Sequence, residues 1–147
     1  GTACELAAAN MEEERRLLTG LRDKLESGLL ATCPDARVNG DRLHRLPNTT
    51  NMSFEYIEGE AILYHLSDLG ICASTGSACA AGSLEPSHVI RAMGVPFTAV
   101  HGSIRFSLSR YNTEAEVDYV LEHVPRIVRK LRDLSPFGKG DTLPVNL

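Results

Sequence analysis

The stretch Thr50-Asn51-Met52-Ser53-Phe54-Glu55-Tyr56 alternates polar and apolar residues from Asn51 onward. A period of two puts Met52, Phe54 and Tyr56 on one face of a strand and Asn51, Ser53 and Glu55 on the other, the pattern of a sheet covered by helices on one side only. On its N-terminal side, Ala36 to Asn39 reads as a short strand closed by Asn39-Gly40-Asp41, with a polar, proline-containing loop between the two. On its C-terminal side, Glu58 to Leu69 is helical, with Ile62, Leu63, Leu66 and Leu69 on one stripe and Gly70 as the stop. Ile71 to Ala73 then reads as a brief strand.

Further out, Ala7, Met11, Leu18, Leu21, Leu25 and Leu29 recur at helical spacing from about Ala3 to Ala31, while Glu12 to Arg16 and Arg22 to Glu26 are mostly charged. Gly20 and Gly28 weaken the second half of this helix, which is expected to bend or fray, and Pro34 forbids its continuation. Pro86 can open a short helix with Val89, Ile90 and Met93 on its apolar side, ended by Gly94. Ser103 to Ser109 alternates again, sending Ile104, Phe106 and Leu108 inward and Ser103, Arg105 and Ser107 outward. Thr113 with Glu116 is a capping-box pair, and the apolar stripe from Val117 to Leu134 carries a helix to Ser135, with a kink or two abutting helices expected at Pro125. The fold expected is α/β (α+β): a small, largely antiparallel sheet with helices on one face, formed by residues 1–135, followed by an extended or flexible tail over 136–147.

With 147 residues, 43% hydrophobic and 23% charged, the chain suits one domain with a real core. A formal charge of −4, no tryptophan and no Lys/Arg cluster argue against a nucleic-acid surface. No apolar run approaches the roughly 20 residues of a membrane span and no signal-peptide pattern opens the chain, so a cytoplasmic protein with reduced thiols is expected. The start at Gly1-Thr2-Ala3 runs almost at once into a helix without a capping sequence, which suggests that residues upstream are missing.

The stretch Ser74 to Pro86 (Ser-Thr-Gly-Ser-Ala-Cys-Ala-Ala-Gly-Ser-Leu-Glu-Pro) sets one thiol, Cys79, among residues too small to pack, so the thiol is presented rather than buried. No Lys, Arg or His stands within the loop to lower its pKa, so activation has to come from tertiary neighbours or a bound substrate.

Leu46-Pro47-Asn48, Asn51 to Phe54, Glu58-Gly59-Glu60, Ser77-Ala78-Cys79, Ser83 to Ser87, Ser103 to Ser109 and Arg132 to Pro136 together resemble the C-terminal part of NifS-type cysteine desulfurases, class V aminotransferase-like enzymes dependent on pyridoxal 5'-phosphate. The resemblance implies the small C-terminal domain of a fold-type I enzyme. It makes Cys79 the nucleophile that takes sulfur from L-cysteine as a persulfide, leaving L-alanine, and Arg105 the residue that grips the substrate carboxylate. It further implies a homodimer at full length and an iron–sulfur scaffold protein as sulfur acceptor, nearer the nitrogen-fixation type than the housekeeping type. The cofactor lysine of such enzymes belongs to a large domain that this chain lacks. Lys24 and Lys130 fall on exposed helix faces and Lys139 in the tail, so no cofactor-binding residue is expected in this chain and the chain alone is expected to be inactive.

Two other readings come from different classes: a stand-alone persulfide carrier loaded by a partner, and a non-catalytic interaction module in which Cys79→Ser would change nothing. Cys72, Cys79, His88 and His101 lie seven, nine and thirteen residues apart, which fits no standard zinc spacing, so no metal is expected. Cys4 and Cys33 read as packing or incidental residues, Arg91 and Arg110 as helix-face and turn residues, and His101, just before the arginine strand, as structural with a site-lining role as the alternative.

Overall fold

The chain was analysed as a computed structural model that describes residues 1–75 and 86–137. Its elements run α1 (Thr2–Thr32), β1 (Ala36–Val38), β2 (Thr49–Phe54), α2 (Gly59–Asp68), α3 (His88–Ala92), α4 (Phe97–Val100), β3 (Ser103–Ser107) and α5 (Glu114–Leu134). The three strands form one antiparallel sheet in the order β1-β2-β3, so β2, whose alternation is the cleanest in the chain, lies at the centre. Met52, Phe54, Ile104 and Phe106 point from its inner face into a core shared with Leu21, Leu25 and Leu29 of α1, Ile62 and Leu66 of α2, and Val117, Val124 and Val128 of α5. The expected α/β class with a small antiparallel sheet is the one observed. Among the described residues no helix is long and apolar enough to cross a membrane.

Several local expectations are corrected by tertiary contacts. β2 stops at Phe54, and Tyr56 takes a left-handed conformation (φ 68°) that turns the chain toward α2. The end of α5 braces this turn: Arg132 Nε donates to the Glu55 carbonyl at 3.2 Å and Ser135 Oγ to the Tyr56 carbonyl at 2.8 Å. Among the described residues Ile71 to Ala73 forms no strand, and the ladder contact there is an isolated bridge from Ser74 to Arg105. α3 begins at His88 rather than Pro86, and α4 is an additional short helix. α5 runs through Pro125 as a single helix, opened by the expected Thr113–Glu116 capping box.

In α1 the buried residues all lie from Leu18 onward, whereas Met11, placed on the apolar stripe by periodicity, is 67% exposed. The second half does not fray, because Gly28 is where α5 crosses: a Cβ there would sit 2.5 Å from Leu121 Cδ2. At the other end of the stripe in α5, Leu134 is exposed. The tail from 138 onward lies outside the described residues.

The approach of β3 to β2 depends on Gly102. A Cβ there would lie 2.0 Å from the Phe54 carbonyl oxygen and 2.8 Å from that of Ile57, and neither atom belongs to a side chain that could rotate away. Gly102→Ala is therefore expected to lower stability by at least about 2–3 kcal/mol. Urea unfolding at neutral pH checks this; a loss under about 1 kcal/mol would mean that the backbone gives way.

Candidate functional site

The outer face of the sheet carries the polar halves of the alternating strands, and strand pairing sorts them into rows. Arg37, Ser53 and Ser103 oppose one another in one row, Thr49 and Ser107 in another. Between them lies the row that contains Arg105, which pairs with Asn51 of β2. Asn39 N donates to the Asn51 carbonyl at 2.8 Å, extending this row beyond β1. On the opposite edge Ser74 and Arg105 exchange both backbone hydrogen bonds, Ser74 N to Arg105 O at 3.1 Å and Arg105 N to Ser74 O at 2.6 Å. Asn39, Asn51, Arg105 and Ser74 thus stand side by side across one face.

One end of this face is closed and the other is open. Ser53 and Ser103, expected outward, are buried at 0% and 2% exposure. They share a hydrogen bond of 2.7 Å, which lets two hydroxyls leave water without losing a partner. Asn39 Nδ2 joins them, donating to Ser53 Oγ at 2.7 Å and to Asn51 Oδ1 at 2.6 Å. Asn51 is half-buried, and Arg105 is exposed, as the alternation of β3 indicates. A guanidinium presented from a strand centre beside a fixed amide is suited to a planar anion such as a carboxylate.

Cys79 lies outside the described residues. Ser74, among the last described residues of the segment leading to it, is the one bonded to Arg105. The other thiols differ sharply: Cys33 is packed in the core, where burial pushes its thiol pKa up, while Cys4 and Cys72 are exposed. His101 turns its carbonyl to the Gly59 N–H at 2.9 Å, and its ring meets the edge of Phe97 and stands 3.9 Å from a Glu58 oxygen. These contacts are structural. Arg110 pairs with Glu14 at 3.0 Å and lies over the Tyr111 ring, also away from Arg105.

A Schiff-base lysine needs a desolvated amine with a lowered pKa. Lys24 has the reverse: its ammonium hydrogen-bonds Asp118 at 2.7 Å, with Glu114 at 3.5 Å, and this raises its pKa. Lys130 is exposed on α5 and Lys139 lies outside the described residues. Among the described residues, therefore, no lysine fits the covalent anchor of a pyridoxal group.

A second polar cluster was not foreseen from the sequence, where Arg22 to Glu26 reads only as a charged stretch. Glu26 is 1% exposed and accepts from both terminal guanidinium nitrogens of Arg45, one at 2.8 Å, and from the Thr50 hydroxyl at 2.5 Å. Arg22, also buried, donates to the Leu46 carbonyl at 3.1 Å. A shallow cleft of about 650 Å³ opens beside them, lined also by Arg42 and Lys24. The cluster pins the loop before β2 onto α1, on the side of the sheet opposite Arg105.

Residues 2–120 match the family described as aminotransferase class-V. The chain is 62% identical over 141 residues to a cysteine desulfurase of Nostoc sp., covering 96% of this chain and 35% of that protein. It is 59% identical over 141 residues to the cysteine desulfurase NifS of Azotobacter vinelandii, again covering 96% of this chain and 35% of the relative. A solved NifS-like protein superposes with a TM-score of 0.75 at 36% identity, covering 88% of this chain and 32% of that one. The chain thus spans about a third of the length of these relatives. The 119 residues matched are most of its own length, and the chain belongs to the aminotransferase class-V family.

Proposed function

We propose that this chain is the C-terminal part of a NifS-type cysteine desulfurase, with residues 1–135 as its small domain. Pyridoxal phosphate and its lysine are assigned to the portion of the enzyme outside this chain, so the chain alone releases no alanine. In the complete enzyme L-cysteine and the Cys79 thiol give L-alanine and a Cys79 persulfide. Arg105 holds the substrate carboxylate with two parallel hydrogen bonds, and Cys79 acts as the thiolate nucleophile on the substrate sulfur. The complete enzyme is a cytoplasmic homodimer, and an iron–sulfur scaffold protein serving nitrogenase takes up the sulfur.

The observation that carries this reading is the backbone pairing of Ser74 with Arg105. Four residues separate Ser74 from Cys79, and the five residue steps between them span at most about 18 Å when extended, so the thiol is tethered to the strand that presents the carboxylate ligand. The identities to cysteine desulfurases support the same assignment.

The test exposes the 147-residue chain to inorganic polysulfide and maps added sulfur by peptide mass spectrometry. Cys79 is expected to gain one sulfur atom, with buried Cys33 serving as an unreactive internal control. Preferential addition at Cys72 or Cys4 would sink the assignment of Cys79 as the sulfur carrier.

A further inference from the structure

We propose that Asn51 is a second carboxylate-binding residue, acting beside Arg105 through its side-chain NH2; this rests on the function proposed above. The inference comes from how the amides on the outer face are wired. Ser103 holds Ser53, Ser53 accepts from Asn39, and Asn39 donates to Asn51 Oδ1, in contacts of 2.7, 2.7 and 2.6 Å. Asn39 thereby commits its NH2 to both neighbours and leaves its own carbonyl oxygen buried and without a partner among the described residues. An unpaired buried acceptor costs stability. This arrangement commits the Asn51 oxygen to Asn39 and leaves the Asn51 NH2, with two donors, bonded to neither Asn39 nor Ser53.

Asn51 is directly opposite Arg105 in the β2–β3 register. Side chains of such pairs start about 5 Å apart, so both reach the same small ligand. A carboxylate offers about four lone-pair positions, and a guanidinium fork uses two. An amide on the neighbouring strand can take a third. The ligand class is the carboxylate of a free amino acid, and the buried Ser53–Ser103 row bounds the Asn51–Arg105 row on one side. Arg105 supplies charge, and Asn51 supplies orientation.

The test compares Asn51→Ala, Asn51→Asp and Arg105→Ala in the complete enzyme with L-cysteine as substrate. Asn51→Ala is expected to raise KM about tenfold while kcat changes less than about twofold. Asn51→Asp keeps the oxygen that Asn39 needs, so a merely structural residue would tolerate it. As a ligand it loses its donors and brings a like charge to the carboxylate, and kcat/KM is expected to fall about a hundredfold. Wild-type KM in both Asn51 variants, with KM raised in Arg105→Ala, would overturn the role of Asn51 alone. Wild-type KM in Arg105→Ala would instead overturn the carboxylate-binding reading of the whole face.

Discussion

Glu26→Ala is expected to destabilise the chain by about 3–5 kcal/mol, because the substitution strands the Arg45 guanidinium and the Thr50 hydroxyl together in a site made for a carboxylate. The cost is that of an uncompensated group in a buried place rather than of a lost surface ion pair, which would be worth under about 1 kcal/mol. Arg45→Ala should be comparably severe, since it leaves the carboxylate of Glu26, 1% exposed, with Thr50 as its nearest donor. Replacing both with apolar residues of similar size should recover much of the loss, which distinguishes a paired charge from simple packing. Denaturant unfolding of the single and double variants measures this.

The same pair gives stability a pH dependence of defined sign. Burial pushes the Glu26 carboxyl up, but the hydrogen bonds from Arg45 and Thr50 and the charges of Arg45 and Arg22 outweigh it, leaving the pKa below its ordinary value of 4.5. An acid with a depressed folded-state pKa binds its proton more readily in the unfolded chain. Its contribution is therefore complete above about 4.5 and is lost as pH falls through the lower folded value. Glu26→Ala should flatten that part of the acid limb; an unchanged acid limb would show that Glu26 is not the titrating group.

Cys79→Ser in the complete enzyme is expected to lower alanine release from L-cysteine by about a thousandfold or more. At neutral pH a serine hydroxyl is far less ionised than a thiol and cannot carry the transferred sulfur as a persulfide. Alanine formation and added sulfur mass on the protein should disappear together, while thermal unfolding stays unchanged. Turnover retained by the serine variant would mean that another thiol receives the sulfur, and exposed Cys72 would be the first to map. The core thiol of Cys33 makes the contrast within one chain: same chemistry, but packed among apolar side chains where burial holds it protonated.

Readings that rest on short-range periodicity hold up well here. Met52, Phe54, Ile104 and Phe106 are inward and Arg105 outward because alternation is a property of a single strand. The capping box at Thr113 forms because it needs only residues three apart. The misreadings share a different cause. Met11 lies on the correct helical stripe, but the stripe has core to meet only from Leu18 onward. Ser53 and Ser103 are polar and lie on the outer face, yet they are buried because each finds the other across the β2–β3 pairing. Ile71 to Ala73 has strand-like residues but, among the described residues, no strand partner. Glu26 reads only as part of a charged stretch until Arg45, nineteen residues away, closes on it.

Sequence alone was enough to determine the long helices at either end, the alternation of β2 and β3, the outward guanidinium of Arg105, the exceptional small-residue surroundings of Cys79 and the likeness to desulfurases, since each depends on residues close together in the chain. Only the tertiary structure decided that Asn51 stands opposite Arg105, that Ser74 ties the Cys79 segment to that same strand, and that Glu26 is a buried ion-pair partner. The physical reason is register. Pairing strands or docking a helix joins residues distant in sequence, and in a strand a shift of one residue would send Asn51 or Arg105 to the other face.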